Sequence, residues 1–164
     1  MAKKYSKENI SRMLNLDIYT SVGCAAHLLS KSEYHKQFDL VGYINSQIIP
    51  PIVQGQSRIY LSPKNEPTAF ISWARLSEAV WADISESGRS LEWHEWHSGE
   101  RLYFNDFIAP YRNTRMVFKD LVLNVFPNEK EALSLRRLEK GGIKKRNAWV
   151  RRDRQGMTRP ESGT

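Results

Sequence analysis

The sequence predicts an α+β domain in which helices cover a mixed sheet. Stripes of apolar residues at helical spacing run through residues 11–30, 77–84 and 116–126. Between them, 58–61, 68–73 and 101–108 are short runs rich in β-branched and aromatic residues, bounded by turn formers. At 164 residues with a single cysteine, Cys24, the chain can build one hydrophobic core and has no intramolecular disulfide to lean on. No internal repeat is present.

In chain order, Met13, Leu14, Leu16, Ile18, Val22, Ala25, Ala26, Leu28 and Leu29 mark a first helix ending near Ser30. Ser32-Glu33-Tyr34-His35 follows the helix end, where polar side chains can point back over a sheet. Residues 38–53 are apolar but broken by Gly42 and Pro50-Pro51, which suggests a short helix leading into an extended segment. Arg58–Leu61 and Thr68–Trp73 flank a turn-rich hexapeptide and read as a hairpin. Ser77–Ile84 has helix formers and a stop at Ser87-Gly88. Leu91–Trp96 alternates and is expected to lead as extended chain into the strand 101–108, which stops at Pro110. Met116–Phe126 is a helix with Thr114 as cap and Pro127 as stop. Leu133–Leu138 alternates like an edge strand, Gly141-Gly142 makes a turn, and beyond Trp149 the composition predicts disorder.

The net charge of +7 is unevenly placed. Residues 1–135 carry 15 basic and 15 acidic side chains, so the whole excess lies beyond Leu135. A basic segment on a neutral body attracts an acidic partner. It argues against a nucleic-acid-binding module, which needs basic residues on its folded surface. No stretch approaches the roughly 18 apolar residues of a membrane span, so a soluble, unexported protein without stable membrane insertion is expected. The single cysteine fits a reducing, cytoplasmic setting.

Asp106 is the anomaly of the sequence, a carboxylate inside an aromatic strand. Burying it unpaired would cost several kcal/mol, so it faces a wet cleft or has a partner. His35 is the candidate, because imidazole titrates near neutrality and a carboxylate fixes its tautomer. From the residues alone, a surface histidine and a capped aspartate are the favoured reading, because isolated His and Asp residues are common. His94 and His97, with Glu92 and Glu95, lack the i, i+4 spacing of a helical zinc site, so no metal is expected. Cys24 reads as a small core residue and His27 as a structural histidine. Gly141-Gly142-Ile143-Lys144-Lys145 is either a weak phosphate cradle or an ordinary turn.

Ser32-x-x-His35, the block Thr68–Ser77 containing Ser72-Trp73-Ala74-Arg75-Leu76-Ser77, and Trp96-x-Ser98-Gly99-Glu100-Arg101-x-x-Phe104-x-Asp106-x-Ile108-Ala109-Pro110 together resemble the toxin-activating lysine acyltransferases of RTX (repeats-in-toxin) operons. The resemblance covers about residues 17–146 and implies a GNAT-like N-acyltransferase fold, often dimeric. It implies transfer of a fatty acyl group from acyl carrier protein to internal lysines of an RTX protoxin in the bacterial cytoplasm, with no bound cofactor. The family's essential histidine, aspartate and nearby serine map onto His35, Asp106 and Ser32, and a further asparagine onto Asn45. The tail departs from the family pattern. The expected organisation is therefore one acyltransferase domain over 1–148 and a basic, disordered tail over 149–164. A lysine amine, with pKa near about 10.4, must lose a proton before attacking a thioester. His35 would take it, Asp106 would poise His35, and transfer would be direct. The competing readings are a non-catalytic acyl- or toxin-binding chaperone and the nucleic-acid module.

Overall fold

A computed structural model describes residues 16–138, 141–152 and 156–158. Six strands form one sheet in sequence order: β1 (Ser57–Leu61), β2 (Pro67–Leu76), β3 (Arg101–Ile108), β4 (Glu131–Arg137), β5 (Ile143–Arg152) and β6 (Gly156–Thr158). All neighbours are antiparallel except β3 and β4. That parallel pair holds register for only two positions, Tyr103 with Leu133 and Phe104 with Ser134. The resulting mixed sheet with flanking helices is the α+β, GNAT-like architecture expected.

Helices α1 (Ile18–Lys31), α2 (Leu40–Tyr43), α3 (Ile49–Val53) and α4 (Glu78–Ser87) precede β3, and α5 (Thr114–Asp120) follows it. Their packing divides the core between the two faces of the sheet. On one face Ala25, Leu28 and Ile48 meet Phe70 and Ile108, and Ile84, Leu91 and Trp96 meet Ala74, Tyr103, Leu133 and Leu135. On the other, Val117 and Leu121 close over Ile71, Leu102, Phe104 and Ala132. No helix among the described residues is long and apolar enough to cross a membrane.

Local chemistry accounts for the boundaries. Asp17 caps α1 through Thr20 N–H, and Ser77 caps α4 through Val80 N–H. Gly88 ends α4 at φ 73°, the left-handed region that glycine enters without strain. The first part of the predicted helix 11–30 lies outside the described residues.

Four expectations change. The extended segment expected to follow a short helix within residues 38–53 is itself helical through Val53, because a π-turn over Ile44–Ile48 places Pro50 and Pro51 in the first turn of α3, where missing N–H groups cost nothing. Leu91–Trp96 does not extend; Trp93–Trp96 is a 3₁₀ turn closed by a reciprocal cap between Glu92 and Glu95. The predicted edge strand β4 is interior, flanked by β3 and β5. Residues 149–152, expected in a disordered tail, continue β5, and Trp149 packs on Phe118 with ring centroids 5.1 Å apart. Residues 153–155 and 159–164 lie outside the described residues.

Candidate active site

Asp106 owes its orientation to an extra residue in β3. Ser72 pairs with Asp106 and Trp73 with Phe104, so Asn105 is inserted as a β-bulge. In a regular strand, alternation would turn Asp106 to the same face as Phe104, toward α5. The bulge instead sets Asp106 opposite Ser72 on the α1–α4 face, and Asn105 beside it.

Opposite that bulge runs the helical segment 40–53. Tyr43 and Gln47, four residues apart, meet the two bulge residues: Tyr43 Oη donates to Asp106 Oδ1 at 2.6 Å, and Asn105 Nδ2 donates to Gln47 Oε1 at 2.9 Å. Gln47 is anchored in turn by Nε2 to Ser90 Oγ at 2.5 Å. His35 enters from the 3₁₀ turn His35–Gln37 after α1, its Nε2 3.3 Å from Asp106 Oδ1. Its other nitrogen, Nδ1, lies 2.6 Å from Ser32 Oγ. His35 and Asp106 are 8% and 5% exposed, so they act on each other with little solvent screening. Asp106 Oδ2 has no hydrogen-bond partner among the described residues.

The surrounding phenols stay protonated. Burial pushes Tyr43 well above the usual tyrosine range, and the Asp106 charge and hydrogen bond add to it. Burial likewise raises Tyr34 and Tyr103. Arg137 stands among them: burial works against its charge, but Tyr103, Tyr43 and Asp106 outweigh it and raise its pKa. Its guanidinium donates to the carbonyls of Gly88 and Arg89 and to Tyr103 Oη. Tyr34 Oη both donates to Arg137 O and accepts from Arg137 N–H, tying the loop that carries His35 to β4.

These groups line a cavity of about 770 Å³, within the roughly 300–1,000 Å³ common for ligand clefts. It opens where β3 and β4 part after Phe104 and Ser134. Ser32, His35, Tyr43, Gln47, Ser90, Asn105 and Asp106 form its polar part; Phe104, Phe107, Phe118 and Trp149 form an apolar part. Such a site can deprotonate a nucleophile beside a long apolar slot.

The RTX toxin acyltransferase family (HlyC) matches residues 15–150. The chain belongs to that family. An uncharacterized protein of Synechocystis sp. is 35% identical over 105 residues, covering 63% of this chain and 70% of its own length. The RTX-III toxin-activating lysine-acyltransferase of Actinobacillus pleuropneumoniae is 31% identical over 113 residues, covering 69% of this chain and 64% of its own length. The protein-lysine myristoyltransferase of Kingella kingae is 30% identical over 106 residues, covering 65% and 62%. The matches thus span just under two thirds of the length of these two enzymes.

Two of the blocks that carry the resemblance, Thr68–Ser77 and Trp96–Pro110, also meet each other at Arg75–Glu78 and Ser98–Arg101. Ser77 N–H donates to Ser98 Oγ at 3.0 Å, Gly99 N–H donates to Arg75 O, and Arg101 pairs with Glu78. A Cβ on Gly99 would lie 2.6 Å from Leu76 O and Ser77 N, so only glycine allows this approach. The two blocks therefore fix the start of the β2–β3 ladder, and the ladder delivers Asp106.

Of the site residues expected from sequence, Ser32, His35 and Asp106 come together. Asn45 does not: it is exposed on the π-turn, and Gln47, two residues on, occupies the site. Tyr43, Gln47, Asn105 and Trp149 escaped sequence reading. The bulge leaves no compositional trace, and Trp149 was masked by its basic neighbours.

The remaining candidates lie elsewhere. His94 and His97 are exposed around the 3₁₀ turn, while Glu95 binds Arg89. No group of three or more metal-binding side chains occurs among the described residues. Cys24 is half-buried, its thiol pushed up by burial, and His27 is exposed beside Tyr111. Gly141 and Gly142 take φ 83° and 87° in the β4–β5 connection, where Gly141 N–H bonds Leu138 O and Leu138 N–H bonds Gly142 O, as in an ordinary turn.

Proposed function

We propose that the protein is a protein-lysine fatty acyltransferase that activates an RTX protoxin in the bacterial cytoplasm. It would move an acyl chain from acyl carrier protein to internal lysine side chains. The observation that carries this reading is the Ser32–His35–Asp106 line at the polar end of a cavity opened by two parting parallel strands, in a chain of this family.

Asp106 accepts from the Nε2–H of His35, which leaves Nδ1 as the basic nitrogen, against Ser32 Oγ. The proton of the incoming lysine then passes to His35 beside or through the Ser32 hydroxyl. The neutral amine attacks the thioester carbonyl, forming the C–N bond and an oxyanion. Backbone N–H groups freed where β3 and β4 separate are suited to receive that oxyanion. Collapse breaks the C–S bond, the leaving thiolate takes the proton from the imidazolium, and the second proton of the attacking nitrogen leaves to solvent as the neutral amide forms. Proton and electron pair balance without a metal or redox partner.

A second reading follows from the 2.6 Å contact itself. The same base could activate Ser32 as a nucleophile, giving an acyl-serine before lysine arrives. Mixing the protein with acyl-acyl carrier protein alone separates the two. Direct transfer leaves its intact mass unchanged, whereas an acyl adduct on Ser32 overturns it.

The function itself is tested by intact-mass spectrometry of a candidate RTX protoxin co-expressed with the protein and with its His35→Ala variant. Acyl increments with the first and none with the second are expected. Equal modification by both would remove His35 from the mechanism, and an unmodified protoxin with the wild type would refute the activity toward that toxin.

A further inference from the structure

The cavity crosses the plane of the sheet. Asp106 and His35 lie on the α1–α4 face, whereas Ser134, Asn147 and Trp149 line it from the α5 face, with Phe118 of α5 above them. The passage between the two sides is the gap left when β3 and β4 part after Phe104 and Ser134. The polar side holds the groups that handle a proton. The α5 side holds the aromatic rings of Phe104, Phe107, Phe118 and Trp149, with Thr114 and Arg115 of α5 also lining it, while Ser134 Oγ is taken up by Asn147 and Trp149.

The wall on the α5 side is fixed in place. Trp149 Nε1 and Asn147 Nδ2 both donate to Ser134 Oγ, at 3.1 and 3.2 Å, which pins the indole to β4. The Phe118 ring meets that indole at a tilt of 45°. Both residues are half-buried, so each still presents surface to the cavity.

We propose that the donor's fatty acyl chain passes between β3 and β4 and lies on the α5 face, and that Phe118 and Trp149 set the chain length accepted. The proposal rests on the acyltransferase reading above. A hydrocarbon gains from leaving water wherever it is enclosed, by about four-fold in binding per methylene. The α5 side encloses it with aromatic carbon, while the polar side would strand it against His35, Asp106 and Gln47. The thioester carbon then sits at the gap, within reach of an amine arriving from the His35 side.

The test offers the protoxin a mixture of acyl-acyl carrier proteins of graded chain length and reads product masses. Phe118→Ala deepens the slot and shifts the product toward longer chains. Thr114→Trp, at an exposed position on the cavity rim of the same face, shortens it and shifts the product the other way. A shift of about two methylenes changes the competition ratio by roughly fifteen-fold. If Phe118→Ala fails to fold, Thr114→Trp alone decides. Active variants with the wild-type chain-length distribution overturn the proposal, as does an equal rise in KM for every donor, which would place the carrier's thiol arm there instead. A wild-type protein that acylates nothing overturns the acyltransferase reading, a result distinct from either.

Discussion

Replacing Asp106 by Asn separates its chemical role from its structural one. The carboxylate is 5% exposed; it accepts from Tyr43 at 2.6 Å and from His35 at 3.3 Å through one oxygen, and its second oxygen is unpaired. Hydrogen bonds to a charged acceptor contribute about 1.5–3 kcal/mol each. Against them stands a desolvation cost of several kcal/mol for a buried carboxylate. The amide keeps an acceptor oxygen for Tyr43 and His35 and removes the buried charge, so the two changes nearly offset. Folding stability, measured by urea denaturation, is expected to move by no more than about 1 kcal/mol. Catalysis loses the negative charge that stabilises the imidazolium, and kcat is expected to fall roughly 10²–10⁴-fold. A stability loss above about 3 kcal/mol would make Asp106 a structural charge in the sense of a broken buried pair. A kcat/KM within about ten-fold of wild type would show that the transfer does not need it.

Acid should weaken the protein through Glu95, whose pKa falls from the usual 4.5 to about 2, chiefly through its hydrogen bonds to Arg89. A depressed carboxylate stabilises the fold above its unfolded pKa, and that contribution, about 3 kcal/mol, disappears as pH drops from near 4.5 toward 2. Denaturation curves of Glu95→Gln across this range should be flatter than wild type; parallel curves would assign the acid loss to other groups. Gly99→Ala forces a Cβ to within 2.6 Å of backbone atoms of Leu76 and Ser77, so a loss of about 2 kcal/mol or more and weaker activity are expected, read by thermal melting. If an acidic carrier docks on the basic face of β4 and β5, charge reversal at exposed Lys144 and Lys145 should raise donor KM at low salt. High salt should erase the difference, because a tenfold rise in ionic strength shortens the screening length about three-fold; a salt-independent KM would remove the basic face from docking.

The helices and strands that bury one face were legible because their periodicity is the physics of burial, as in α1, β2 and α4. The segments that failed share another cause. Pro50-Pro51 reads as a breaker until a π-turn places it at a helix start, and Leu91–Trp96 reads as a strand until Glu92 and Glu95 cap each other. Both outcomes depend on hydrogen bonds between particular atoms, which hydropathy does not record. The basic segment misled for a related reason. Arg151 donates to the carbonyls of Val122, Phe126 and Glu129, completing the end of the α5 region. Arg137 is similarly spent on Gly88, Arg89 and Tyr103, so two of the charges that suggested a docking tail hold the fold together.

The site poses the harder case, since His35, Ser32 and Asp106 could be named from resemblance but not placed by pattern. Alternation predicts that Asp106 shares a face with Phe104; the bulge at Asn105 reverses that parity and turns Asp106 to His35. The same reversal puts Ile108 opposite Phe70, in the core that seats α1, and Phe107 toward α5. Deleting Asn105 would therefore make the ladder regular while leaving Asp106 opposite Ser72 and Ile108 opposite Phe70, and would remove the Asn105–Gln47 hydrogen bond. A variant without Asn105 should lose about 1–3 kcal/mol for the buried Gln47 acceptor left unpaired, read by urea denaturation, and a loss of several kcal/mol, as when a large core side chain is withdrawn, would refute this register argument. The parity change cannot be assigned to function alone: the same change that aims the carboxylate at His35 also seats Ile108 in the core beneath α1, the helix that leads into the His35 turn.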